Sequence, residues 1–149
     1  MGAFVGRDVV VEFAIAEEDA SVGSLSFSRL GMMRGKSMKT DWDTADTTAD
    51  QSPSFTRTSL VTFKMVEFSG DGVAYDDAVY NQDAFRAHAI SPGAGTGNQP
   101  KVWLRMTDPA GGVYVGPFIV TSWADERPYD TECTWSMSAK SNGDVSYTA

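Results

Sequence analysis

The sequence predicts a mainly β protein with one helix, and three observations carry that prediction. Apolar residues alternate with period two over most of the chain. Glycine, proline and asparagine clusters interrupt the alternating runs at turn-like intervals. Only one segment, about 76–90, has helical spacing. At 149 residues the chain suits a single domain, spanning 1–149. A domain of that size buries roughly 68–70% of its unfolded surface and needs neither metal nor disulfide to hold a core.

In chain order, Val5, Val9, Val11, Phe13 and Ile15 share one strand face, with Asp8, Glu12 and Ala14 on the other. A second strand over 24–39 slips phase, because Leu25 and Phe27 are odd whereas Leu30 and Met32 are even. Such a slip predicts a β-bulge near Arg29. Residues 56–68 form a long β-rich run with Val61, Phe63 and Met65 on one face and Leu60, Val66 and Phe68 on the other. Apolar residues on both faces predict cover from both sides, by the chain's own core and by a partner chain. A long loop, about 41–55, separates these two runs.

The helix takes Asp76 as its cap and Asp77 in its first turn, sets Ala78, Phe85 and Ala89 in one stripe, and stops at Ser91-Pro92-Gly93. Val102, Leu104 and Met106 begin a hairpin that turns at Asp108-Pro109-Ala110-Gly111-Gly112 into 113–123. Gly116-Pro117 predicts a bulge or an edge position within that second strand. Thr131, Cys133, Trp135, Met137 and Ala139 alternate against Glu132, Thr134, Ser136 and Ser138. Ser141-Asn142-Gly143 then predicts a hairpin into a short last strand, 145–148.

The formal net charge of −8 and pI near 4.5 argue against a protein that grips nucleic acid by its phosphates, and against docking on an anionic membrane. An acidic surface serves solubility; the sharper reading is a surface that repels a passing polyanion. Cys133 stands alone, so no disulfide forms within the chain. The chain has no apolar run of transmembrane length, and its start lacks the pattern of a signal peptide. Gly6 occupies the position where a myristoylation motif needs Ser or Thr. These features predict a soluble protein made in the cytoplasm.

No enzyme constellation assembles. His88, the sole histidine, falls late in the helix, where it suits the C-terminal carbonyls. Cys133 lies on an apolar strand face and reads as a small buried hydrophobe. Gly93-Ala94-Gly95-Thr96-Gly97 follows a helix and leads into a strand, the reverse of a phosphate-cradling loop. Asp41, Asp43, Asp46 and Asp50 lack the glycine and distal glutamate of a calcium loop. No catalytic residue, metal or cofactor is therefore expected. What remains is charge pattern: residues 40–56 hold four Asp and no Lys or Arg, flanked by Arg34, Lys36, Lys39 and Arg57. One reading is a solvated acidic loop between basic strand ends. The other is a loop that reaches a neighbouring subunit, with Trp42 and Phe55 as apolar anchors beside Asp41, Asp43, Asp46 and Asp50.

Taken in order, several segments resemble the tail tube proteins of long-tailed, siphovirus-type bacteriophages. They are Gly6-Arg7-Asp8-Val9-Val10-Val11, the basic strand leading into Asp41-Trp42-Asp43-Thr44, the mid-chain helix, Gly116-Pro117-Phe118-Ile119-Val120-Thr121, the alternating strand with Trp135, and Ser141-Asn142-Gly143 before Tyr147-Thr148. The resemblance covers nearly the whole chain. It implies a β-sandwich or barrel-like subunit of the virion, six of which form a ring whose inner strands join into one β-barrel. Rings stack into a tube that surrounds the tape measure protein during assembly, meets tail terminator and tail-tip proteins, and later passes double-stranded DNA; no membrane is involved.

The 24–39 and 56–68 strands are then candidates for the lumen or the ring interface, with Arg29, Arg34, Lys36, Lys39, Arg57 and Lys64 expected to pair with Glu67 and the Asp cluster of adjacent subunits. Competing readings are a related ring protein (a tail terminator or the type VI secretion tube protein) and a small ligand-binding β-sandwich.

Overall fold

The alternating runs form eight antiparallel strands in a computed structural model that describes residues 3, 5–49, 56–57, 59–75 and 77–149. They are β1 (Val10–Ala14), β2 (Ser28–Arg29), β3 (Met33–Asp46), β4 (Ser59–Val73), β5 (Lys101–Thr107), β6 (Val113–Glu126), β7 (Thr134–Ser141) and β8 (Ser146–Thr148). Among the described residues a single α-helix, α1 (Gln82–Ile90), occurs, between β4 and β5. The strands run β2-β1-β5-β6-β7-β4-β3 across one sheet, with β8 also paired to β6.

The chain's own connectivity curls this sheet. β2 and β3 stand at opposite ends of the order, yet only Leu30, Gly31 and Met32 separate them. Four residue steps span at most roughly 14 Å, so the two ends of the sheet must come close together. Leu30 N–H donates to Val11 on one side of the gap, and Val73 N–H donates to Met32 on the other. Met32 turns the corner in the left-handed region at φ 58°. The phase slip is thus not a bulge near Arg29 within one strand, as expected. It is a break where the chain leaves one sheet end for the other.

The inward faces meet in a core of Val11, Phe13, Phe68, Leu104, Phe118 and Trp135, each at most 4% exposed. Helix α1 closes the barrel through Phe85, whose ring lies 5.0 Å from Phe13 edge-on and 5.5 Å from Trp123. Trp123 in turn stacks on Trp135 at 5.1 Å. Such buried aromatic packing stabilises by several kcal/mol; truncating one such ring costs about 3–5 kcal/mol.

Four further boundaries differ from expectation. The helix starts at Gln82 rather than 76, because Asp77 caps a separate 3-10 turn at Ala78–Tyr80 and Asn81 then takes φ 56°. Asp76 lies outside the described residues. Ala78 is accordingly exposed rather than in the helical stripe. Residues 41–46, expected in a loop, continue β3 and pair with β4, which itself runs on to Val73. Cys133 is half-buried just before β7.

Finally, Ser141-Asn142-Gly143 does turn the chain, with Gly143 at φ 150°, but β8 pairs with β6 and not with β7. β6 exchanges neighbours at Gly116-Pro117, β8 flanking Val113–Val115 and β7 flanking Phe118 onward. Pro117 has no N–H to lose at that gap, and its carbonyl accepts from Asn142 N–H at 2.9 Å. The bulge in β6 falls later, between Val120 and Ser122.

Candidate assembly surface

The β3–β4 hairpin outgrows the body of the protein. β4 pairs with β7 only from Glu67 to Val73, so among the described residues Thr40–Asp46 and Ser59–Val66 pair only with each other. At about 3.3 Å per residue this free part is roughly 20 Å long. It is also apolar on both faces: Leu60, Val61, Phe63 and Met65 are all exposed, Phe63 at 73%. A bare two-stranded ribbon is marginal in water, and covering one such aromatic is worth about 1.5–3 kcal/mol.

The hairpin belongs to a four-stranded layer, β3-β4-β7-β6, whose core face carries Phe68, Met137 and Trp135. Its opposite face follows from register: Ser37 opposes Ser69, Ser69 opposes Ser138, and Ser138 opposes Ser122. An open depression of about 440 Å³ is lined there by Ser37, Ser69, Asp71, Ser136 and Ser138. One row further along, Lys39 and Lys140 flank Glu67 on its two sides. Both outer edges of the layer lack a strand partner among the described residues. They are the far side of β3 and, past Val120, the side of β6 that β5 has left.

The basic residues of the two long strands separate. Lys39 and Glu67 lie on the serine face, and Lys39 reaches Asp41 at 3.5 Å. Arg34 pairs with Glu132 at 2.7 Å, a contact that holds the Glu132 carboxyl below its usual range. Arg57 sits 3.9 Å from Asp46, whose carboxyl pKa is lowered by hydrogen bonds first from the Thr48 side chain and then from the Thr48 N–H. Lys64 points to the core side, 3.1 Å from Asp144 and 5.9 Å from the ring of Trp42, which is 52% exposed. Lys36 donates to the carbonyls of Gly6 and Val9 at 2.8 and 2.7 Å. Burial there pushes its ammonium pKa down, Arg29 nearby adds to the shift, and Asp8 opposes it. Asp43 is exposed, and Asp50 and Phe55 lie outside the described residues.

Arg34, Lys39, Arg57 and Lys64 therefore each meet an acid of their own chain. The serine face escaped the sequence reading because it joins residues far apart in the chain; alternating Thr134, Ser136 and Ser138 were its only local sign.

The family model for phage tail tube proteins matches residues 3–147. The chain belongs to the phage tail tube protein family. The fold is shared with solved structures of such assemblies. One is the tail of an empty gene transfer agent particle, resolved with C6 symmetry, at 23% identity and TM-score 0.72, covering 99% of this chain and 100% of that one. A second is the virion of a native gene transfer agent, at 21% identity and TM-score 0.73 with the same coverage. A third is the SPP1 tail tube, at 13% identity and TM-score 0.62, covering 99% of this chain and 80% of that one. No curated protein sequence matches significantly. As a tail tube family member the protein is a structural component of a phage-type tail, and among the described residues no cluster of metal-ligating side chains occurs.

Proposed function

We propose that residues 1–149 act as one tail tube domain, and that six copies close into a ring whose inner wall is the β3-β4-β7-β6 layer repeated around the axis. The observation that carries this reading is the pair of unpaired edges bounding that layer. Joining the β3 edge of one copy to the β6 edge of the next removes both, and a closed barrel has no edge left. The C6 symmetry of the gene transfer agent tail, a protein of the same fold, supports six as the count.

In such a ring the serine face lines the lumen, since the other face is the subunit's own core. Serine hydroxyls and a Lys39–Glu67–Lys140 row give a polar wall of low net charge, so no run of unpaired cations holds DNA phosphates in transit. The apolar faces of the hairpin are covered by neighbouring copies, and rings stack into the conduit. Within it the tape measure protein is enclosed during assembly, the terminator and tail-tip proteins close the ends, and the subunit performs no catalysis.

Electron microscopy of the purified full chain tests this. Hexameric rings or tubes are expected. A uniform small monomer at high concentration overturns the reading.

A further inference from the structure

The turn that follows β6 is exposed from Arg127 to Glu132, yet its neck is braced. Arg127 donates to the Glu126 and Thr134 carbonyls, each at 3.2 Å, and to the Asp125 carboxylate at 3.2 Å, so it ties the two strand ends together. Beyond that neck Tyr129 is 105% exposed, and neither Glu126 nor Asp130 has an ion-pair partner among the described residues. At the opposite edge of the layer, where the chain turns from β2 into β3, lies a cavity of about 340 Å³. Arg7, Arg29 and Lys36 line it around an apolar floor of Leu30, Met33 and Tyr80. Arg7 and Arg29 also lack ion-pair partners among the described residues, and Lys36 is held by the carbonyls of Gly6 and Val9. Two acids stand nearby: Asp8 acts on Lys36, and Glu12, opposite Arg29 in register, is engaged by Arg105. Cations are in excess there, in a chain of net charge −8, and that excess favours an acidic occupant.

We infer that this cavity seats the turn between β6 and β7 of the next copy in the same ring, with Tyr129 against the apolar floor and Glu126 and Asp130 against the basic rim. The inference rests on the ring reading above and names a contact that aligns neighbours within a ring. Direction and level both point to this occupant. β3, β4, β7 and β6 alternate in direction, so β6 runs opposite to β3. Rotation about a ring axis leaves those directions unchanged, so the next copy's β6 meets β3 antiparallel. Level follows from register: Glu126 opposes Thr134, Thr134 opposes Val73, and Val73 N–H donates to the Met32 carbonyl. The end of β6 thus stands level with the corner at Met32, which borders the cavity. The tilt of strands in a closed barrel slides this match but does not exchange the ends of β3. The turn that follows Glu126 in the next copy therefore arrives beside the cavity. An exposed aromatic on a braced turn, seated on an apolar floor, is the kind of anchor on which interface energy concentrates.

The test uses the full chain with two separate substitutions. Asp130→Arg sets a cation against the basic rim, and Tyr129→Ser removes the anchor. In each, the concentration at which rings form, read by sedimentation velocity, is expected to rise by about tenfold or more. Both side chains are exposed in the subunit, so the circular dichroism spectrum is expected to stay unchanged. Adding Arg7→Asp to Asp130→Arg restores an opposite-charge pair and is expected to recover most of the loss. Unchanged ring formation in both single variants overturns the socket. A loss that Arg7→Asp does not recover overturns this cavity as the seat of the turn. Intact rings that fail to stack would place the contact between rings and overturn it as well. Absence of rings and tubes in the unsubstituted protein would instead refute the ring reading, and the socket with it.

Discussion

At the scale of single residues, the two most informative side chains are Gln82 and Trp42, one fully buried and one half-exposed. Gln82 is 1% exposed and uses every polar atom: its amide nitrogen donates to Gly31 and Val73 carbonyls at 3.0 and 2.9 Å, and its oxygen accepts from Tyr75 N–H at 2.9 Å. It therefore pins the start of α1 to the corner between β2 and β3. Nothing in the sequence marks it, because a glutamine at a helix start reads as solvated until the corner is folded over it. Gln82→Leu takes the partner from the Gly31 carbonyl and the Tyr75 N–H, at about 1–3 kcal/mol each, while the Val73 carbonyl keeps the Trp135 indole N–H at 3.3 Å. A drop in melting temperature well beyond 5 °C is expected by calorimetry, and a shift under 2 °C would contradict this role. Trp42 behaves in the opposite way. Its ring is 52% exposed, with Lys64 5.9 Å from its centroid, so Trp42→Ala is expected to change subunit stability by less than about 0.5 kcal/mol while preventing tube growth. Equal losses of folding and assembly would place the ring in the subunit's own core.

At the scale of elements, alternation alone located most strands, because burial on one face imposes period two whatever the partner. Partnership was not readable in the same way. The phase slip at 24–39 was visible, but its cause is a chain that crosses between sheet ends, and that depends on the curl of the whole sheet. The turn at Ser141-Asn142-Gly143 was equally visible, yet β8 lands on β6. The close passage of Gly116 beneath Val145 explains why: a Cβ on Gly116 would sit 2.7 Å from Val145 Cα. Gly116→Ala must therefore push β8 away, at a cost of about 1–3 kcal/mol. Amide exchange in Ser146–Thr148 is expected to accelerate while the β7 core stays protected; unchanged exchange at β8 would show that the crossing tolerates the methyl. The helix was legible by its stripe and stop signal, but not its true start, since a left-handed Asn81 is indistinguishable from a helical one in sequence.

At the scale of the whole molecule, the acidic total of −8 led to the expectation of a surface unsuited to holding phosphates, but it does not say where charge lies. Of the basic residues assigned to the long strands, Lys39 lies on the serine face, whereas Lys36 and Lys64 turn to the core side. That division follows from the pairing register, which no local pattern encodes. It yields a prediction for assembled tubes. Glu67→Lys places three consecutive lysines across the wall, and such tubes are expected to retain short duplex DNA at low ionic strength, released steeply by added salt. Tubes of the unsubstituted protein are expected to retain none. Equal retention by both would exclude the serine face as the lumen wall.

The open edge of β3 has a consequence for the life of the subunit before assembly. Among the described residues the outer edge of this fourteen-residue strand has no strand partner, and such an edge is an invitation to any extended chain, including partly folded copies of the same protein. The register breaks between Met33 and Gly35 and between Trp42 and Thr44 bend that edge, and Lys39, Asp41 and Asp43 stud it with charge. A flat or uncharged strand therefore finds no continuous seat. On the ring arrangement proposed above, a strand with matching kinks and opposing charges is the one expected to seat along its full length, so the edge would act as a filter that admits a correctly folded neighbour over the sticky intermediates present during synthesis.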